Sequence, residues 1–124
     1  MAFETLEEQM RIFAEMSQKE QISLLEECLE DAAEGVALLE KLAQAWADGD
    51  VDTIAQTMAD ELRNEAPALY EKLLVQRNIR WADKIQEILK RSGVQQIAVG
   101  AGHLAGPDSV QAQLEKRGVK TERY

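Results

Sequence analysis

Basic residues are in short supply in this 124-residue chain, with 14 Lys and Arg against 23 Asp and Glu and a formal charge of −9. That balance excludes the clustered cations that phosphate backbones require, so nucleic acid is not an expected partner, and anionic membrane surfaces are disfavoured for the same reason. Cysteine occurs once, at Cys28, so no internal disulfide can form and cysteine usage does not fix the redox compartment. Two prolines and seven glycines are too few for a low-complexity or collagen-like chain. No apolar run approaches the ~20 residues of a membrane span. Met1-Ala2-Phe3-Glu4 has neither the basic nor the apolar region of a secretory leader, so the expected location is cytoplasmic, unless the chain is cut from a longer exported protein. There is one histidine, and no Ser-His-Asp or Cys-His arrangement stands out around it.

What is present reads as one domain over 1–124, with a helical region over 1–92 and a β-α-β segment over 93–124. Thr5-x-x-Glu8 and Ser17-x-x-Glu20 have the form of capping boxes, each opening a helix. Leu6, Met10 and Phe13 share a face of the first helix. Ile22, Leu25, Leu29, Val36, Leu39 and Trp46 form a stripe along a long second helix, interrupted by Gly35 and closed by Asp48-Gly49-Asp50. A third helix carries Ile54, Met58 and Leu62. A fourth starts near Pro67, with Leu69, Leu73, Trp81, Ile85 and Leu89 as its apolar stripe. Trp46, Trp81, Met10, Met16 and Met58 are expected in the core.

Beyond Gly93 the pattern changes. Ile97 and Val99 alternate with polar or small residues as in a short strand, and Gly100-Ala101-Gly102-His103 follows as a turn. Asp108 or Ser109 would start a helix with Val110 and Leu114 inward, Gly118 would stop it, and Val119 to Tyr124 reads as a last strand. The expected fold class is therefore α/β, mostly helical, with four N-terminal helices, one of them long, and a β-α-β tail that something else must complete. A two-stranded parallel pair is a poor sheet alone, which predicts a homo-oligomer formed through that tail or through swapped helices. His103 would lie just past the first strand's C-terminal end, where ligands collect in open α/β folds. Its neutral nitrogen can bind a metal or move a proton. It can equally be a histidine hydrogen-bonded in a turn. Gly100-x-Gly102-x-x-x-Gly106, with Glu122 downstream, superficially suggests a dinucleotide loop, but it has one residue too many and Asp108 stands where phosphate would sit.

Gly100-Ala101-Gly102-His103-Leu104-x-Gly106-Pro107-Asp108, followed by Arg117-Gly118-Val119-x-Thr121-Glu122-Arg123, resembles the C-terminal signature of the TraB/GumN family, which includes the Tiki-like metalloproteases. Leu74-Val75-Gln76-Arg77-Asn78-x-x-Trp81-Ala82-x-Lys84-Ile85 is similar to the family's preceding helix, in which Glu is more usual at the position of Gln76. Glu4-Thr5-x-Glu7-Glu8-Gln9 is similar to the start of its helical middle region. The resemblance implies a metal-dependent hydrolase of peptidase character, with His103 as a metal ligand or base and Gly100, Gly102 and Gly106 shaping its loop. Arg77 and Asn78 would orient a carboxylate or hold a carbonyl in such a site, or simply tie their helix to the loop. A divalent metal (Mn, Co or Zn) is the implied cofactor, not held tightly by this chain alone, and a peptide is the implied substrate. The family also implies a second Gly-x-x-His motif in an N-terminal half. The expectation is thus a C-terminal portion, inactive in isolation, that partners either that missing half or its own copies. The alternative is a non-catalytic helical module for interaction or oligomerisation.

Overall fold

A computed structural model of the chain describes residues 2–123, and the side chains of residues 27 and 30–34 lie outside the described set. The order is α1 (Leu6–Ala14), α2 (Gln18–Asp48), α3 (Val51–Ala55), a π-helical segment (Gln56–Asp60), α4 (Glu61–Glu65), α5 (Pro67–Tyr70), a second π-helical segment (Glu71–Val75), α6 (Gln76–Leu89), a 3₁₀ turn (Ala101–Leu104) and α7 (Val110–Glu115). Because each π segment continues into the next α-helix, the elements after α2 form two rods, α3 to α4 and α5 to α6.

Local chemistry sets the boundaries. Thr5 and Ser17 each accept a backbone N–H three residues on while Glu8 and Glu20 reach back, so both capping boxes are closed. Gly49 adopts φ +70° as the left-handed end of α2, and Asp50 caps α3. Pro67 begins α5 and Ser109 caps α7.

The α/β expectation is overturned, because among the described residues there is no strand and hence no β-α-β tail. Residues 94–99, expected as a strand from their alternation, are irregular and among the described residues make no ladder hydrogen bonds, and a strand exists only through such bonds to a neighbour. Val99 leans onto the hydrophobic cluster of Trp81, Ala82, Ile85, Val110 and Leu114, while Val94 is fully exposed. Val119 also packs on that cluster, its N–H donating to the Leu114 carbonyl beyond a Gly118 at φ +78°. Tyr124 lies outside the described residues.

The core departs from the expected stripes too. Trp81, Ile85, Leu69 and Met16 are buried. On α2, however, Ile22, Leu25, Leu29, Val36, Leu39 and Trp46 are all exposed; the chain packs instead against the adjoining face, where Ala45 is buried and Leu38 and Leu42 half-buried. Leu6, Met10, Phe13 and Met58 are exposed as well. Smaller clusters, Ala45 with Ile54 and Ala105, and Ala59 with Tyr70 and Val75, join the rods to one another and to the 3₁₀ turn. No helix among the described residues is long and apolar enough to cross a membrane.

Candidate functional site

Arg77, Asn78 and His103, singled out by sequence, come together at one end of α6. Asn78 is 2% exposed, and its Nδ2 donates to the Asp108 carbonyl at 2.8 Å. That contact turns the amide so that its Oδ1 faces His103 Nδ1, at 2.6 Å. Oδ1 can only accept, so Nδ1 carries the imidazole proton and Nε2 keeps its lone pair. The Asp108 side chain is held by the Tyr70 hydroxyl, which donates to Oδ2 at 2.9 Å. Burial, and then the Asp108 carboxylate, push the Tyr70 hydroxyl up to about 12, so it stays protonated and donating.

The imidazole lies against Trp81 with ring centroids 4.4 Å apart and the planes tilted by 44°. Phe3 meets the same indole at 5.7 Å, and the Arg77 guanidinium lies 4.9 Å from its centroid. Burial lowers the His103 pKa to about 4, aided by the Arg77 charge and opposed by Glu4, so the ring is neutral at physiological pH. Arg77 is itself occupied. Its Nε and Nη2 grip both oxygens of Glu4 at 2.7 to 3.1 Å, in a fork contact between segments 73 residues apart. Burial alone would raise the Glu4 pKa, but the Arg77 hydrogen bonds and charge outweigh it and hold the carboxyl below its ordinary value.

The glycines have distinct roles. Gly100 accepts the His103 N–H in the 3₁₀ turn. At Gly102 an added Cβ would sit 3.2 Å from Met58 Sδ and Cε, so the backbone approaches that side chain closely. Gly106 turns the chain at φ +81°.

Phe3, Arg77, Trp81, His103 and residues 95–100 line an open cleft of about 590 Å³. Among the described residues the backbone N–H and C=O groups of 94–99 make no backbone hydrogen bond.

A family model described as the TraB/PrgY/gumN family matches residues 1–123. The chain belongs to that family. No curated protein and no solved structure matches it. For a TraB/PrgY/gumN chain the donor chemistry of this site is informative. Among the described residues no three His, Cys, Asp or Glu side chains come together in a way that could hold a metal ion. Glu4, the carboxylate that shares the cleft with His103, is committed to Arg77. The residues present therefore do not fit a self-contained metal centre, and His103 offers one nitrogen only.

Sequence reasoning singled out Arg77, Asn78, His103 and the three glycines; the fold brings Arg77, Asn78, His103 and Gly100 together, while Gly102 and Gly106 pack on Met58 and Ala55. It missed the roles of Glu4, Tyr70 and Asp108, and treated Trp81 only as core. The signal for Asp108 lay inside the quoted motif, but nothing local connects it to a tyrosine 38 residues earlier.

Proposed function

We propose that the cleft receives an extended peptide segment laid along residues 95–99, within a site of peptidase character that groups from outside this set of residues complete. The observation that carries the reading is a segment, 95–99, that makes no backbone hydrogen bond among the described residues and lines a cleft that also holds a neutral imidazole. Such an edge recognises main-chain amides by strand addition, with alternate side chains directed into the cleft. His103 Nε2 makes no protein hydrogen bond among the described residues, and with Nδ1 fixed on Asn78 it accepts a proton or a donor group from the ligand. A nitrogen with so low a pKa is a weak base but is free of its proton throughout the physiological range. The metal-dependent hydrolysis that the family resemblance suggests would need further ligands, so no step is routed through a metal.

Binding of a labelled library of short, uncharged and basic peptides, followed by amide shifts of residues 95–100, tests the reading. Micromolar binding is expected, and it should be lost in Ile97→Pro or in Ala98→Pro, since successive amides of an extended chain face opposite ways and one of the two must serve the ligand. Mass spectrometry of the same library with added Mn²⁺, Co²⁺ or Zn²⁺ should show no cleavage above a His103→Ala control by the chain alone. No binding at about 1 mM peptide, an affinity near 4 kcal/mol, would sink the proposal.

A further inference from the structure

The exposed apolar residues of α2 follow a stricter rule than amphipathicity. Ile22, Leu25, Leu29, Val36, Leu39 and Trp46 are separated by 3, 4, 7, 3 and 7 positions, and Ala43 falls on the same pattern. These are a and d positions of a heptad repeat carried across nearly the whole 31-residue helix. A helix packed on its own globular chain uses a 3.6-residue stripe, and α2 does so on its Leu38, Leu42 and Ala45 face. A seven-residue repeat drifts about 20° per heptad on a straight helix and stays aligned only when wound around a second helix. The exposures run from 49% at Ile22 to 75% at Val36, so these six side chains are left uncovered by the described residues.

We propose that the seam is covered by α2 of a second copy, running antiparallel. The register is its own complement: reversed about residue 34, Ile22 meets the other copy's Trp46, Leu25 meets Ala43 and Leu29 meets Leu39. Large then opposes small in the Leu25 layer. Parallel pairing would set Ala43 against itself, leaving a gap, and crowd Trp46 against Trp46. Six large apolar side chains, each about half to three-quarters exposed, line the seam of each copy, a surface on the scale of the ~800 Å² per partner that a standard stable interface buries. The flanking charges give the arrangement a signature. Glu26 and Glu40 occupy e positions, which face one another across an antiparallel pair, so the dimer carries two acidic contacts, each Glu26 facing the other copy's Glu40. This inference is independent of the cleft and would stand if no peptide bound there.

Sedimentation velocity and light scattering of the full chain, from about 1 to 100 µM, measure the association. A dimer is expected in this range. Leu29→Glu combined with Leu39→Glu should give a monomer with unchanged far-ultraviolet circular dichroism, because neither side chain is needed inside the fold. Glu40→Lys, a surface change, should tighten the dimer by roughly five-fold or more by turning two repulsions into attractions, an effect that added salt reduces. A wild-type monomer at 100 µM, which would leave the seam to some other protein, overturns the proposal. So does a dimer that survives the double substitution, or a Glu40→Lys variant that associates no more tightly than wild type.

Discussion

At the scale of single residues, Asn78 decides the state of the site. Its amide is held by the Asp108 carbonyl on one side and dictates the proton position of His103 on the other. The imidazole consequently reports on folding. Its pKa is about 4 in the folded chain against an ordinary 6.5, so between those values the unfolded chain binds a proton that the folded one refuses. Stability should be level with respect to this group above pH 7, fall as the pH drops from about 6.5 to 4, and level off below. Discounted for the ring's partial exposure, the loss is on the order of 2 kcal/mol. His103→Gln should flatten that part of the profile, measured by urea denaturation at stepped pH. An unchanged slope would mean the ring is not desolvated in solution. The sole histidine and the Arg77-Asn78 pair were legible because they are rare or form a recognisable motif. The Glu4 to Arg77 clamp was not, because it joins positions 73 apart and surface-rich carboxylates carry no mark of their destination.

Among the elements, helix ends were read well and helix faces poorly, for a physical reason. Caps are local. Ser17 and Glu20 satisfy backbone groups within one turn, and Lys72 and Ser17 together draw the Glu20 pKa down to about 2. Ser17→Ala should cost about 1 kcal/mol in equilibrium denaturation without changing the fold. Faces depend on phase and on which side of a helix finds a neighbour: α2 packs on its Leu38, Leu42 and Ala45 side rather than its larger stripe, and in the two later rods the π segments reset the phase. Each wide turn adds a residue relative to the 3.6 period, so the stripe that begins at Leu69 and Tyr70 resumes at Val75, Asn78, Trp81, Ala82, Ile85 and Ile88, leaving Leu89 in solvent. The same rotation brings Tyr70 and Asn78 to bear on one aspartate. The strands were misread because alternation records which sides of an extended segment differ, not whether a neighbour exists to pair with it.

For the whole molecule, the missing strands remove the ground on which oligomerisation was first expected, and the α2 seam supplies another. Among the described residues three small clusters form the core while many large apolar side chains stay exposed. A chain whose longest helix is covered only on association should have a melting temperature that rises with its own concentration. Scanning calorimetry across a hundred-fold dilution series checks this, and a midpoint independent of concentration would count against coupled folding and assembly. Where the two tryptophans lie has a practical result. Trp81 is enclosed by Phe3, Arg77 and His103, whereas Trp46 stands 71% exposed near the end of α2. The protein thereby carries one intrinsic fluorophore at the cleft and another on the seam. Replacing either with phenylalanine leaves an emission spectrum that watches one place alone, so the proposed ligand entry and the proposed pairing of chains can each be followed by itself without any attached dye.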